Sequence, residues 1–323
     1  MTRIGLVLGA GGVVGQAYHA GVLAALEHDY GWDPRTAEVI VGTSAGSITG
    51  ALLRSGVPAS ELAAWTVRAP LTDEGRLLEE MFGTEHPHLE PFEPKDLIRR
   101  LPSVPRPGMV LNALRHPLRF RPLRAALALL APGPFDIVEQ LAALGSADTW
   151  PSQDLWINTV RREDGEHVVF GRDGAPEAPL HLAVSASCAV PGYFAPVRIG
   201  KKTYVDGGAH SPTCADLLSE RGLDLVIVVS PMSGPTELPR DIYGASRWHS
   251  ARLAAREIKT LRNSGTAVVC FRPGEAEQEA MGNDFLSADS VDQIVQESFL
   301  AAGAYAATSP LLRQMLRRPA RAG

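Results

Sequence analysis

Residues 39–54 read VIVGTSAGSITGALLR and combine a short apolar run, a sharp turn and a helix-like segment. Glu38–Val41 is rich in β-branched residues, as expected of a buried strand, and Ala45–Arg54 has the pattern of a helix. Between them, Gly42-Thr43-Ser44-Ala45-Gly46 matches G-x-S-x-G, in which small residues on both sides of a serine let chain segments approach closely. This order is typical of a turn that exposes a reactive serine hydroxyl. A turn that serves only packing is the alternative.

The rest of the chain alternates strand-like and helix-like segments, which predicts a layered α/β fold. The other predicted strands are Arg3–Leu8, Asp154–Arg161, His167–Gly171, Lys202–Val205, Asp224–Ser230 and Ala267–Arg272. The other predicted helices are Gly15–His28, Ser60–Arg68, Phe135–Leu144, Leu180–Ala189, Cys214–Arg221, Ser246–Asn263 and Ser290–Arg313. We expect one α/β domain over residues 1–323, with residues 70–150 as a variable insertion or cap.

The composition is that of an ordinary folded protein. Of the 323 residues, 45% are hydrophobic and 21% are charged, which suits a large core and excludes disordered and fibrous classes. No apolar run approaches the roughly 20 residues that span a bilayer, and the glycine-interrupted stretch Ile4–Val14 is interpreted as a strand rather than an export signal. Cys188, Cys214 and Cys270 show no CxxC spacing, so we expect no metal site, no disulfide framework and a cytoplasmic location.

Residues 97–135 differ from the rest of the chain in charge. They contain seven arginines and no lysine, aspartate or glutamate, so the remainder carries −12 in a chain of net charge −5. The arginines are Arg99, Arg100, Arg106, Arg115, Arg119, Arg121 and Arg124. Two interpretations remain open: a packed cap whose arginines face water, or a surface that contacts anionic membrane lipid. Nucleic-acid binding is disfavoured, because Phe120 is the one interleaved aromatic residue and the whole chain is acidic.

Residues 5–17, GLVLGAGGVVGQA, place a second glycine-rich turn between a strand and a helix. One interpretation is a dinucleotide-binding loop of the pattern G-x-G-x-x-G. Its third glycine would fall on Val14, however, and the acidic residue expected after the second strand is missing. The favoured interpretation is that the amides of Gly11, Gly12 and Val13 bind the negative oxygen formed when a serine attacks an ester.

A serine nucleophile also needs a base, and Asp206 is the better candidate. It ends the strand-like run from Lys202 and is followed by Gly207-Gly208, which suits a carboxylate held in a tight turn. A carboxylate within hydrogen-bond reach can accept the serine proton if burial raises its pKa. Of the nine histidines, His210 alone lies in a glycine-punctuated turn and is a weaker candidate. The alternative for Asp-Gly-Gly is a plain hairpin turn.

Taken in order, four segments resemble the patatin family of lipid acyl hydrolases. They are Gly9–Gly15, the turn around Ser44, Ala186–Pro196 and Asp206-Gly207-Gly208. The resemblance covers most of residues 4–230. It implies a three-layer α/β/α fold with a mostly parallel central sheet and hydrolysis of lipid acyl esters by a Ser-Asp dyad without histidine, metal or cofactor. Ser44 would be the nucleophile, Asp206 the base, and the amides of Gly11, Gly12 and Val13 the oxyanion hole. The supporting glycines would be Gly9, Gly15, Gly42, Gly46, Gly207 and Gly208.

The glycine loop departs from the family pattern G-G-G-x-[KR]-G at two positions. Ala10 stands where a glycine is usual, which matters little if its φ is negative. Val14 stands where a basic residue is common, which removes a cation near the anion site. Val14 and the arginine-rich segment leave open a lipid-binding or regulatory protein with little turnover. An acyltransferase that uses the same dyad is a further alternative to hydrolysis.

Overall fold

The computed structural model describes residues 2–84, 89–90, 107–115, 126–145, 150–234 and 242–316, and an eight-stranded sheet lies at its centre. The strands are β1 (Ile4–Leu8), β2 (Val39–Gly42), β3 (Asp154–Arg161), β4 (His167–Phe170), β5 (Val197–Ile199), β6 (Lys202–Asp206), β7 (Leu225–Val229) and β8 (Ala267–Phe271). Their order is β5-β6-β3-β2-β1-β7-β8, with β4 also paired to β3. The pairs among β3, β2, β1, β7 and β8 are parallel, whereas β4, β5 and β6 pair in antiparallel fashion.

Helices cover both faces of this sheet. In chain order they are α1 (Gly12–Tyr30), α2 (Ala45–Arg54), α3 (Ala59–Thr66), α4 (Arg76–Phe82), α5 (Pro107–Arg115), α6 (Val138–Leu141), α7 (Leu180–Cys188), α8 (Ile242–Asn263), α9 (Glu275–Met281), α10 (Val291–Thr308) and α11 (Pro310–Leu316). Because side chains alternate along a strand, Leu6 and Leu8 join one core cluster with α1, α2, α7 and α10, and Val7 joins a second cluster with Ile258 and Leu261 of α8. The predicted three-layer α/β/α class with a mostly parallel sheet is confirmed.

The strand register brings several chain turns to one edge of the sheet. Leu8 at the end of β1 pairs with Gly42 at the end of β2, so the glycine-rich loop and the Ser44 turn leave the sheet side by side. Gly42 also pairs with Ile157 of β3, and β3 continues beyond this point to Arg161. The antiparallel strand β6 pairs with this overhang and sets Asp206 opposite Thr159. Asp206 therefore reaches the edge where β1 and β2 end.

Most predicted elements are present, with two helix predictions wrong. Cys214–Arg221 is not an α-helix, because Cys214 adopts a left-handed conformation and a short 3₁₀ turn, Ala215–Leu218, follows it. The predicted helix Ser290–Arg313 is divided into α10 and α11. The second begins at Pro310, which has no N–H to bond back into a preceding turn. The short elements α4, α5, α9 and β5 were not predicted.

The arginine-rich segment 97–135 is described only at residues 107–115 and 126–135. Residues 126–130 are attached to the sheet edge, because the buried Arg162 donates hydrogen bonds to the carbonyl oxygens of Ala128 and Leu130, each at 2.8 Å. Six of the seven arginines lie outside the described residues, and the exposed Arg115 is the seventh. A search of the described helices finds none with both the length and the apolar character needed to cross a membrane.

Candidate active site

Ser44 occupies a strained turn between β2 and α2. Its φ of 53° and ψ of −123° are rare for a residue with a side chain, and such conformations cost about 1–3 kcal/mol each. The backbone packs tightly around the turn: a methyl group at Gly46 would overlap the carbonyl oxygen of Leu8, and one at Gly42 would lie 2.6 Å from the Cα of Ser47. Small residues are therefore required on both sides of Ser44, as the G-x-S-x-G spacing predicts.

Hydrogen bonds from neighbouring elements hold the Ser44 turn. The amide of Thr43 donates to the carbonyl oxygen of Leu8 at 3.0 Å. The Ser47 hydroxyl donates to the carbonyl oxygen of Ser44 at 2.6 Å. The amide of Ser44 donates to Ser187 Oγ at 2.9 Å. The N-terminus of α2 lies directly beyond Ser44, where its dipole favours negative charge.

Asp206 lies at the end of β6, and its side chain is buried. Its Oδ1 accepts a hydrogen bond from the Gly208 amide at 2.6 Å, and the Ser44 side chain lies close enough to the carboxyl group to lower its pKa. Burial raises the pKa of Asp206 to about 7, against the weaker opposing effects of the Ser44 and Gly208 hydrogen bonds. A carboxylate with this pKa can accept a proton near neutral pH. The two predicted dyad residues are thus in contact.

The glycine-rich loop lies beside this pair. The amides of Gly9 and Ala10 donate to the carbonyl oxygens of Val229 and Pro212, at 2.9 and 2.8 Å. By contrast, the amides of Gly11, Gly12 and Val13 have no backbone acceptor among the described residues, and Gly12 and Val13 line the same cavity as Ser44. Unpaired amides at the start of a helix can bind an anion.

One glycine position and two departures in the loop have direct explanations. Gly12 has a φ of +61°, and a methyl group there would overlap the carbonyl oxygen of Phe285. Ala10 is not among the described residues with positive φ, so a side chain is tolerated there. Val14 is buried in the core, and its amide donates to Phe285 at 3.4 Å. A basic side chain at position 14 would therefore have to leave the core to reach the site.

A cavity of about 290 Å³ opens beside Ser44. Ile48 and Leu52 continue from Ser44 along one face of α2, and Trp65, Phe82 and Phe194 add aromatic walls. The described residues that line the cavity carry no charge; Gln16 and Gln140 are its longest polar side chains. Such a lining suits a hydrocarbon chain.

His210 belongs to a separate group of side chains that includes possible metal ligands. Within the described part of the chain, one group of three possible ligands was found, His167, His210 and Cys214. The two imidazole rings are stacked, with centroids 4.0 Å apart and planes 19° from parallel. Imidazole binds a metal through a lone pair in its own plane, so two stacked rings cannot direct their lone pairs at one ion in this arrangement. His210 is also not among the described residues that line the Ser44 cavity.

Three residues beside the dyad were not predicted from the sequence. Cys188 lines the cavity beside Ser44, its thiol is hydrogen-bonded to Ser47 Oγ at 3.7 Å, and burial raises its pKa well above the ordinary value. Ser187 binds the amide of Ser44. Asn158 is fully buried in β3 and donates to the turn that contains Ser44. A polar amide inside the apolar strand LWINTV is a signal that could have identified Asn158, because buried polar groups need partners.

Comparison with known proteins gives a family and several remote structures. The family model described as Patatin-like phospholipase matches residues 6–218. Similar solved structures include the type III effector protein ExoU, with a TM-score of 0.41 and 19% identity over 98% of this chain and 54% of that chain. VipD from Legionella pneumophila has a TM-score of 0.41 and 15% identity over 92% of this chain and 67% of that chain. The ExoU-SpcU complex of Pseudomonas aeruginosa has a TM-score of 0.30 and 20% identity over 97% and 60%. This chain thus spans about half the length of ExoU.

Proposed function

The chain belongs to the patatin-like phospholipase family, and from that premise we propose that it is a serine lipid acyl hydrolase that uses Ser44 and Asp206. The observation that carries the proposal is the strained Ser44 in contact with a buried carboxyl group whose pKa is raised to about 7. Family membership supports ester hydrolysis as the reaction class. The dyad, the oxyanion hole and the lipid substrate are the parts that we propose.

The proposed reaction has two steps that pass through an acyl-enzyme. Asp206 takes the Ser44 proton while Ser44 Oγ bonds to the ester carbonyl carbon, and the amides of Gly11, Gly12 and Val13 bind the resulting oxyanion. The ester C–O bond then breaks, and the protonated Asp206 gives its proton to the leaving alcohol. In the second step Asp206 takes a proton from water, which attacks the acyl-enzyme. The fatty acid leaves, and the proton returns to Ser44.

The cavity supports a hydrocarbon chain as the acyl part of the substrate. From Ser44 to Leu52 the α2 face advances by about 12 Å at the usual helical rise, and Ile48 lies between them on the same lining. An acyl chain that lies along this face keeps its carbonyl carbon at Ser44 and its methyl end near Trp65 and Phe82. Phospholipase A, lysophospholipase and esterase activities are all compatible with this placement.

A fluorophosphonate probe tests the reactive serine directly. We expect rapid labelling of the folded protein on Ser44, because only an activated hydroxyl attacks the phosphorus centre quickly. Trypsin should release the adduct in the peptide TAEVIVGTSAGSITGALLR, residues 36–54. Fragmentation in a mass spectrometer should then place it on Ser44 rather than on Ser47, and protein unfolded in urea is the control.

The same experiment separates the alternatives to hydrolysis. A folded protein that binds lipid vesicles but does not react with the probe would support the lipid-binding or regulatory alternative. Val14 in the glycine-rich loop, where a basic residue is common, also favours that alternative. Labelling together with transfer of the acyl group to an added alcohol, detected by product analysis, would support an acyltransferase. Labelling with release of free fatty acid is the result expected of the proposed hydrolase.

We also propose that the protein contacts anionic membrane lipid through residues 97–135, as a peripheral cytoplasmic protein. Helix α5 supports this, because Val110 and Leu114, four residues apart on one face, are 50% and 75% exposed, and the exposed Arg115 follows them. Each basic residue near an anionic surface contributes about 1 kcal/mol. The seven arginines of the segment therefore supply charge, and α5 supplies apolar contact.

Sedimentation with phospholipid vesicles tests the membrane contact. We expect more protein on vesicles that contain phosphatidylserine than on neutral phosphatidylcholine, and a decrease at high salt because surface charges are screened. Leu114→Ser should weaken binding, while Leu300→Ser is the matched control, since Leu300 is similarly exposed on α10, outside the basic segment. Equal binding to neutral and anionic vesicles at low salt would contradict the proposal.

A further inference from the structure

Asn158 of β3 and His167 of β4 lie next to the Ser44 turn but are not among the described residues that line the cavity. We propose that they form a positioning pair that holds Ser44 in its strained conformation and so sets kcat. This inference rests on the proposed function. Neither residue belongs to the predicted dyad or to the glycine-rich loop.

Asn158 holds the two residues that directly precede Ser44. Its side-chain Nδ2 donates to the carbonyl oxygen of Gly42 at 3.1 Å and to Thr43 Oγ1 at 3.0 Å. Its backbone carbonyl oxygen accepts a hydrogen bond from Ser187 Oγ at 2.7 Å, and Ser187 Oγ in turn accepts the Ser44 amide. Asn158 therefore restrains the backbone that leads into the strained φ, directly at Gly42 and Thr43 and through Ser187 at the Ser44 amide.

The turn after Asp206 rests on the same residue. A methyl group at Gly207 would overlap the carbonyl oxygen of Asn158, so the backbone of the Asp-Gly-Gly turn packs directly against β3. Since Asn158 contacts both the serine turn and the carboxylate turn, its position bears on the alignment of the Ser44 hydroxyl with Asp206.

His167 fixes the orientation of the Asn158 side chain. Because Nδ2 donates to Gly42 and Thr43, the hydrogen-bond network assigns Oδ1 to the side that faces His167 Nε2, 3.0 Å away. An oxygen needs a donor there, so Nε2 carries a proton. The His167 ring is held in place by stacking on His210. Without this donor, the buried Oδ1 would lose a partner and the amide would no longer be fixed in one orientation.

Loss of this restraint should affect the chemical step more than substrate binding. A non-glycine residue keeps a positive φ only when its surroundings impose it, and a small displacement of a reacting group can cost about 100-fold in rate. Asn158 and His167 are not among the described residues that line the cavity with Ile48, Leu52, Trp65 and Phe82. A lower kcat at a nearly unchanged KM is the expected signature.

A set of four variants, assayed on a p-nitrophenyl ester, tests the positioning pair. His167→Phe keeps an aromatic ring on His210 but removes the Nε2 proton, and Asn158→Ala removes the amide; each should lower kcat by about 10- to 100-fold with KM changed less than about threefold. His167→Gln offers an N–H donor in place of the imidazole and should restore most of kcat. Arg54→Met is the matched control.

Arg54 is a suitable control because it joins the same two strands at their opposite end. Its guanidinium donates to the carbonyl oxygens of Ala37, before β2, and Asp154, at the start of β3. Arg54→Met should lower the thermal midpoint and leave kcat near the wild-type value. A purely structural role of Asn158 and His167 predicts instead that kcat follows the thermal midpoint in every variant.

The outcomes separate this inference from the proposed function. A wild-type protein that neither hydrolyses esters nor reacts with the fluorophosphonate probe would reject the hydrolase. An active wild type with an unchanged kcat in His167→Phe would reject the positioning pair. A crystal structure of His167→Phe gives a readout independent of activity: we expect Ser44 to leave its positive φ, and a φ still near +53° would overturn the inference. Because His167 is only half-buried, its variants can test the positioning pair even if Asn158→Ala does not fold.

Discussion

Ser44→Ala is expected to lower kcat for a short-chain p-nitrophenyl ester by at least about 10⁴-fold, the scale on which removal of a catalytic serine acts in other hydrolases. The acyl-enzyme needs a bond to Ser44 Oγ, and the Cys188 thiol beside it cannot substitute, because burial raises its pKa and keeps it protonated. The loss should appear in kcat, since the apolar cavity still binds substrate. Steady-state kinetics and loss of the fluorophosphonate label measure it.

The chain offers a matched control for this substitution in Ser185. Its buried hydroxyl on α7 has no hydrogen-bond partner among the described residues, so Ser185→Ala should keep wild-type activity and at least wild-type stability. Both variants should show the circular dichroism and thermal midpoint of a folded protein. Hydrolysis at the wild-type rate by folded Ser44→Ala would reject Ser44 as the nucleophile.

Local sequence patterns predicted every strand except β5, the serine turn and the glycine-rich loop. Each depends on residues that are neighbours in the chain: the β-branched run before Gly42, the glycines that allow close approach, and the helix that starts at Ala45. Their proximity also followed from a general property of parallel sheets, which bring the ends of adjacent strands to one edge. The parallel pairing of β1 with β2 confirms that the glycine-rich loop and the serine turn leave the sheet side by side.

The arrangement of the site around Ser44 could not be predicted from local patterns, because it depends on pairing between strands that are distant in the sequence. Asp206 reaches the site on an antiparallel strand that pairs with the overhang of β3, and no local pattern specifies this partner. The role proposed for Asn158 likewise depends on the register that sets Gly42 beside Ile157. The cavity gathers residues from α2, α3, α4, α6 and the segment after α7, so its size follows from packing rather than from any single motif.

Asp206→Asn is the second variant for which we expect a large effect on activity. The amide is nearly the same size and its oxygen can still accept the Gly208 N–H, but it cannot take the Ser44 proton. General-base catalysis contributes about 10²- to 10⁴-fold, so kcat should fall by that order. Asp224→Asn is the matched control, because Asp224 is exposed at the opposite end of the sheet and binds the Arg3 amide.

The raised pKa of Asp206 also predicts how activity depends on pH. The base must be ionised to accept the Ser44 proton, and burial raises its pKa to about 7. In the wild type, kcat/KM should therefore increase with pH through a midpoint near 7. A midpoint near the ordinary aspartate value of 3.8 would contradict a buried base. The residual activity of Asp206→Asn should lack the transition near 7.

The same pKa predicts that Asp206→Asn loses activity but gains stability. Between about pH 4 and pH 7 the folded protein keeps the Asp206 proton, whereas the unfolded chain has released it, so this group lowers the free energy of unfolding as pH rises through that window. This loss in the free energy of unfolding is absent below about pH 4 and complete above about pH 7. Asparagine does not titrate, so the stability of Asp206→Asn relative to wild type should be greater at pH 8 than at pH 5. Urea unfolding of both proteins at pH 5 and pH 8 measures the gain in the free energy of unfolding. The same gain at the two pH values would show that Asp206 does not titrate as a buried carboxyl in the folded protein.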